Sequence, residues 1–344
     1  MPKKKEVNRD IPKESDLDTI MEGFKESLRS VPVREFIHTG NYALDYIISM
    51  KVDGTGGYPS SCVVELFGDP MTGKSLLLAK ALAEAQKKGY KIIIADAEGR
   101  WDDDFAEVQG VDPTQRTIFF PSTVEAFAVD THKMLEGAKA SGKRLAIVLD
   151  SLAILSTLKE VDDIGEGDLK ADQGRKAQKI RMALRVLRSD VRDTGSILFV
   201  ANHVIAQPGA YVPRTTPGGG GVPFQASVRL ELMSPTKIKI EGKDRVIGVQ
   251  LHVKVAKNSI APPFGEVEFP VTWSGGIDPY GGLMALMEDL GIVTRAGAWY
   301  SWPVGEVPGL KFQSKDLSKF IQEHPEIMSD PKWTHNYFTT GEMP

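Results

Sequence analysis

The residues best suited to chemistry in this chain are consecutive. Gly68-Asp69-Pro70-Met71-Thr72-Gly73-Lys74-Ser75 meets every fixed position of the phosphate-loop pattern G-x-x-x-x-G-K-[ST]. Gly68 and Gly73 allow tight curvature and close approach of the backbone to an anion. Lys74 would place a point charge on the β- and γ-phosphates, and the Ser75 hydroxyl would ligate Mg²⁺. The flanks fit. Val63–Phe67 is apolar and β-rich, and the run from Leu76 to Ala85 is made of helix formers. Strand, glycine loop and helix together aim backbone N–H groups and a helix N-terminus at bound phosphate.

Three other strand ends carry polar groups. Leu145-Ala146-Ile147-Val148-Leu149-Asp150 is an apolar run ending in a carboxylate, the form in which Asp150 would hold Mg²⁺ through water or Ser75. Ile92–Ile94 leads to Asp96 and Glu98, either of which could orient or deprotonate an attacking water. Asn202-His203 closes the fourth run, where a polar side chain could hydrogen-bond a γ-phosphate; a satisfied core histidine is the plainer reading of His203. Further candidates are a loop at 161–168, a basic run from Lys170 to Arg192, and a glycine- and proline-rich stretch from 204 to 222 that the composition predicts to be neither helix nor strand. Two loops beside a basic helix suit a nucleic-acid backbone.

The elements that must position these residues alternate. Strands at Val63–Phe67, Lys91–Ala95, Leu145–Leu149 and Ser196–Ala201 are separated by helical patterns at 75–88, 122–140 and 172–192. That order predicts an α/β fold with a largely parallel sheet and its ligands at the carboxyl ends of the strands. Ala226–Met233, Thr236–Glu241 and Arg245–Val255 alternate and are expected to continue the sheet as antiparallel strands. The expected division is an N-terminal helical segment at 1–35, a core at 36–272 and a small α+β domain at 273–344. In the first of these, Asp16–Leu28 has the pattern of an amphipathic helix for oligomerisation.

Composition narrows the class. The chain has 344 residues and a net charge of −4, so a nucleic-acid site must be a local basic patch. Cys62 is the only cysteine, which excludes an internal disulfide and a cysteine-cluster zinc site and fits a cytoplasmic protein. The basic start Met1–Lys5 is followed by no apolar run, so neither a secretory signal nor a membrane association is expected.

At this point a family resemblance becomes specific. The chain resembles the RecA-type strand-exchange recombinases, and its C-terminal third looks most like their phage UvsX branch. The matching stretches run in family order. They include Thr39-Gly40, the phosphate loop, Asp96-Ala97-Glu98, Gly110-Val111-Asp112, Asp150-Ser151, Asn202-His203, Ala226–Leu230, Lys257-Asn258, Ile260–Phe264, Gly276–Tyr280 and Ala296–Tyr300. The resemblance implies a RecA-like phosphate-loop ATPase core. It implies a helical filament on single-stranded DNA that pairs it with homologous duplex, using ATP and Mg²⁺, with a single-strand-binding protein and a loading mediator as partners.

Residue by residue, the resemblance makes Glu98 the catalytic glutamate and His203 the γ-phosphate sensor. Gly68 to Ser75, with Leu76, hold the nucleotide, and Asp102 and Phe105 contact adenine. The two loops fall on the family's DNA-binding loops. The candidate contacts there and on the adjoining helix are Ile164, Gly165, Lys170, Arg175, Arg181, Arg185, Tyr211, Arg214, Gly218 and Gly219. Phe224 falls on a subunit-interface aromatic, and Lys257 on a lysine that reaches the neighbour's nucleotide. Two departures bear on regulation: Ser259 stands where bacterial relatives have a second lysine, and the long acidic tail of many relatives is not expected. The rival readings are a hexameric RecA-fold helicase, which would use an arginine finger where this chain offers Lys257, and a non-catalytic ATP switch, which would not need Glu98.

Overall fold

The apolar runs lie side by side in one ten-stranded sheet. The computed structural model describes residues 35–167, 173–206, 214–304 and 307–334. The predicted Asp16–Leu28 helix lies outside them.

β1 (Cys62–Gly68), β2 (Lys91–Asp96), β3 (Arg116–Phe119), β4 (Leu145–Asp150), β5 (Ile197–His203) and β6 (Val228–Leu232) form the parallel part, in the spatial order β6-β1-β5-β4-β2-β3. Beyond β6, the strands β7 (Thr236–Lys239), β8 (Val246–Asn258), β9 (Glu266–Thr272) and β10 (Gly276–Ile277) pair antiparallel. Helices cover both faces. Val64, Leu66, Ile94 and Val148 pack on one side in a core shared with α1 (Tyr42–Ser49) and α2 (Lys74–Lys87). Val63, Ala95, Ile147 and Leu198 point the other way, toward α4 (Val124–Ser141) and α6 (Gln173–Thr194). Between β2 and α4 lies the short α3 (Asp103–Val108), and between β4 and α6 lies α5 (Leu158–Gly165). Coverage of both faces is why β1 is buried along its whole length and reads as a continuous apolar run broken only by Glu65.

After β10 the chain forms α8 (Leu283–Asp289), then an antiparallel sheet of β11 (Thr294–Ala296), β12 (Trp299–Val304) and β13 (Val307–Gln313), then α9 (Leu317–Glu323). This part packs onto α1: Trp333 lies edge-on to Tyr46, with ring centroids 5.1 Å apart.

Three expectations are corrected. Ala226–Met233 contains β6, which pairs antiparallel with β8 as expected but lies parallel to β1 on its other side; the segment after β5 crosses over, so the chain re-enters the sheet in the direction of β1. The expected loop at 161–168 is largely the helix α5. Its N-terminus carries a full capping box in which Thr157 and Glu160 satisfy each other's backbone N–H. The stretch at 204–222 is not free of regular structure: Ile205–Ala206 pairs with Arg214–Thr215, and its end opens α7 (Gly221–Gln225). Finally, β3, β9 and α1 were not foreseen. β3 is a four-residue edge strand, and Pro270 interrupts the donor pattern of β9, which only two-residue β10 flanks on its outer side.

Candidate active site

β1 ends at Gly68, and the chain turns through Asp69–Gly73 into α2. A Cβ at Gly68 would lie 2.2 Å from the Leu232 carbonyl oxygen, so only glycine lets the loop leave the sheet here. Gly73, at φ +94°, caps α2 without a side-chain hydrogen bond, which leaves the N–H groups of the first turn to the loop. Lys74 is almost buried, and its Nζ donates to the carbonyl oxygens of Gly68 (3.0 Å) and Asp69 (2.8 Å). Burial lowers its pKa, against the pull of Asp150, Glu98 and Asp69. Ser75 is exposed at the start of the helix, Thr72 donates to the Asp69 carbonyl, and Met71 projects outward, 92 % exposed. Pro70 is exposed and Leu76 half-buried. The arrangement is an anion cradle with one cation inside it.

Across from the cradle, carboxylates gather at the ends of β2 and β4. Asp96 and Asp150 are register partners. Burial, then the charges of Glu98 and Asp96, push Asp150 up to about 6. A divalent cation beside Ser75 and Asp150 would relieve that crowding, so the residues present fit Mg²⁺. Among the described residues no cluster of three or more His, Cys, Asp or Glu side chains could hold a metal alone. That suits a cation that takes most of its ligands from substrate phosphates and water.

The two acids that the strand end left open have different surroundings. Asp96 is buried and accepts from the backbone N–H groups of Gly99 (2.8 Å) and Trp101 (2.9 Å), so it shapes the following loop. Glu98 reaches into the site. Its Oε1 accepts from Ser151 Oγ (2.7 Å) and lies 3.1 Å from His203 Nε2. Burial alone would raise its pKa, but those hydrogen bonds and the charges of His203 and Arg100 hold it below the usual glutamate value. The geometry is that of an ionised base beside a phosphate cradle. His203 thus is not a fully buried core histidine; its side chain is 29 % exposed and touches Glu98.

Asn202 leads elsewhere. Its Nδ2 donates to Glu65 Oε1 (2.9 Å) and to the Pro217 carbonyl (3.2 Å). Glu65, fully buried, also pairs with Arg229, which stacks on Phe67 and reaches Thr216 Oγ1 at 3.4 Å. Glu65, Arg229 and Thr216 were assigned no role from the sequence, and Asn202 was read only as a polar strand end that could meet a γ-phosphate. The available signal was a charge inside β1, Glu65, and another inside Val228-Arg229-Leu230, one acid and one base that each needed a partner.

Asp102 and Phe105 share one turn. Asp102 caps α3 by accepting from the Phe105 N–H at 3.0 Å, and the Phe105 ring is 40 % exposed. Lys257 lies apart from the cradle. Its Nζ donates to the carbonyl oxygens of Pro223 (2.7 Å) and Ala226 (2.7 Å) at the end of α7, beside an exposed Phe224. Burial first, then Arg188 and Arg229, lower its pKa.

Next to α7, α6 buries Ile180, Leu184, Leu187 and Val191 and exposes Arg175, Arg181, Arg185, Arg188 and Arg192. Two of its lysines are already engaged, Lys176 with the Ala153 carbonyl and Lys179 with Glu125. The turn at Gly218 and Gly219 rests on Ile180 and Ala177 of this helix, so its glycines serve close packing. Ile164 is exposed near the end of α5, Gly165 is its last residue, and Arg214 opens a two-residue strand. Lys170 and Tyr211 lie outside the described residues.

Residues 5–278 match the family model of the RecA N-terminal domain. The chain belongs to the RecA family. It is 34 % identical over 301 residues to Protein RecA of Streptococcus parasanguinis, covering 86 % of this chain and 75 % of that one. Protein RecA of Streptococcus mutans is likewise 34 % identical over 301 residues, covering 86 % of this chain and 74 % of its own. Protein RecA of Streptococcus uberis is 33 % identical over the same length. As a RecA-family protein the chain is a DNA-dependent ATPase of DNA recombination and repair, and the helicase reading is not favoured. RecA proteins bind single-stranded DNA and form filaments. No helix among the described residues is long and apolar enough to cross a membrane.

Proposed function

We propose that this chain assembles head to tail on single-stranded DNA and pairs it with homologous duplex, hydrolysing ATP at sites shared between neighbouring subunits. The observation that carries this is the place of Lys257. In the sheet Arg229 is the partner of both Lys257 and Glu65, whereas Gly68 is level with Leu232. Lys257 therefore stands three positions back from its own phosphate loop, about 10 Å along the strands. A cation so placed, held by the carbonyls of α7 next to an exposed Phe224, suits a neighbour's nucleotide better than its own. An open, head-to-tail interface is one that repeats into a filament.

Within each site Lys74 and the backbone of the phosphate loop hold the β- and γ-phosphates, and Ser75 and Asp150 hold Mg²⁺. The metal supplies neutralisation of phosphate charge. Glu98 takes the proton of the attacking water, His203 leaves Glu98 to hydrogen-bond the γ-phosphate, and the neighbour's Lys257 faces the charge that develops in the transition state. Asp102 and Phe105 hold adenine. DNA lies along Arg175, Arg181 and Arg185 of α6, the end of α5 with Ile164 and Gly165, the glycine turn at Gly218 and Gly219, and the Lys170, Tyr211 and Arg214 segments. The network from Asn202 through Glu65 and Arg229 to Thr216 and Pro217 supports a link between the γ-phosphate sensor and that turn. The finer placement in the phage UvsX branch, a cytoplasmic setting, and a single-strand-binding protein and loading mediator as partners belong to the same proposal.

Electron microscopy with ATP and single-stranded DNA tests it. Open helical filaments are expected. Closed rings would favour the hexameric helicase, and neither structure would favour a non-catalytic switch.

A further inference from the structure

The structure assigns to Ser151 the task of aiming the Glu98 carboxylate: its hydroxyl holds one carboxylate oxygen so that the other is presented to the attacking water. This rests on the reading of Glu98 as the base. The geometry is asymmetric. Ser151 Oγ donates to Glu98 Oε1 at 2.7 Å, and His203 Nε2 is 3.1 Å from the same oxygen. Among the described residues the ion-pair partner of Oε2 is Arg100, at 3.6 Å, and the Arg100 side chain is 82 % exposed. Glu98 thus has one hydrogen-bonded oxygen and one facing a solvent-exposed partner at longer range.

The two contacts to Oε1 differ in permanence. The His203 side chain is 29 % exposed and must leave if it is to reach a γ-phosphate. Ser151 is fully buried, directly after β4, and its neighbour Leu152 donates to the Ala201 carbonyl at 3.1 Å. The Asp150 carbonyl in turn accepts from Ala97 N (2.8 Å) and Glu98 N (3.3 Å). Glu98 is therefore tied to the Asp150-Ser151 unit twice, once by backbone and once by side chain. When His203 departs, the Ser151 hydroxyl is the remaining side-chain donor that fixes the carboxylate's rotation. A base free to rotate spends part of its time aimed away from the water, and catalysis is sensitive to such misalignment. Ser151 is a positioning residue, acting through Glu98.

The test is a double-mutant cycle on DNA-stimulated ATP hydrolysis, using Ser151→Ala, Glu98→Gln and the double variant, with the affinity for a fluorescent non-hydrolysable ATP analogue and the Mg²⁺ half-saturation measured for each. Ser151→Ala is expected to lower kcat about tenfold, less than the ~10²–10⁴-fold attributable to losing a general base. KM, analogue affinity and Mg²⁺ half-saturation are expected to stay near those of the parent. In the Glu98→Gln background Ser151→Ala is expected to cost nothing more, because its effect passes through the carboxylate. Full additivity of the two losses, an unchanged kcat in Ser151→Ala, or a kcat loss that excess Mg²⁺ restores would overturn the assignment; the last would place the effect at Asp150. Failure of the underlying reading looks different. In that case Glu98→Gln itself hydrolyses ATP at the parent rate.

Discussion

The Glu65 carboxylate, without solvent exposure in the middle of β1, is paired with Arg229 on the neighbouring strand β6 and accepts a second hydrogen bond from Asn202. Removing one partner of such a pair leaves a buried charge without compensation, which costs about 3–5 kcal/mol. Arg229→Ala and Glu65→Ala are each expected to lower the unfolding free energy by about that amount. The apolar pair Glu65→Met with Arg229→Leu is expected to recover most of it. Urea titration followed by circular dichroism measures all three. Parental stability in either single variant would show that the pair is not closed in solution. The apolar pair is further expected to fold yet weaken coupling between ATP and DNA binding, because Thr216 loses its hydrogen bond with Arg229.

Phe105 offers a test of the adenine position that leaves the phosphate loop intact. Its ring is 40 % exposed on α3, so truncation should hardly affect folding. Phe105→Ala is expected to raise KM for ATP about tenfold, the scale of one lost base–aromatic stacking contact. Competition by inorganic tripolyphosphate, which has no base, should be unchanged. Equal weakening of both ligands would move adenine elsewhere.

A pH effect is expected where α4 meets α6. His132 hydrogen-bonds Asp190 at 2.8 Å, which raises the histidine's pKa above the usual 6.5, with burial opposing and Glu136 adding to the rise. A raised histidine stabilises the fold fully below its unfolded value and stops doing so as pH climbs through its folded value. The gap in Tm between the parent and His132→Gln should therefore be wider at about pH 5 than at about pH 9. A gap that widens toward alkaline pH would contradict the pairing.

The basic face of α6 predicts a salt signature. If Arg181 and Arg185 each neutralise one phosphate, the doubly substituted Arg181→Ala, Arg185→Ala protein should bind single-stranded DNA more weakly. The slope of log affinity against log salt should fall by about 1.4, or ~0.7 per contact. Unchanged slope would place the DNA elsewhere.

The sequence carried the site better than it carried the sheet. The phosphate loop, Asp150, Glu98 and His203 lie in contiguous motifs at strand ends, and the fold brings them together as the alternation of strand and helix implied. What escaped was set by long-range pairing. The direction of β6 depends on a crossover that leaves no local mark, and β3 is too short to show a period. α5 was missed for a different reason: Thr157 and Glu160 announced a capping box, but the acidic run after them reads as loop. The partnership of Glu65 with Arg229, 164 residues apart in the chain, is invisible until the strands are adjacent.

The composite site is the centre of the account, and mixing two inactive subunits tests it most directly. Glu98→Gln and Lys257→Ala proteins should each hydrolyse ATP poorly alone. Mixed in equal amounts with single-stranded DNA, roughly a quarter of head-to-tail interfaces would join an intact Glu98 on one subunit to an intact Lys257 on the next. ATPase activity should reappear to about that fraction of the parent rate. If Lys257 served its own subunit's nucleotide, every site in the mixture would lack one group. Absence of recovery, in filaments shown to contain both proteins, would contradict the shared site.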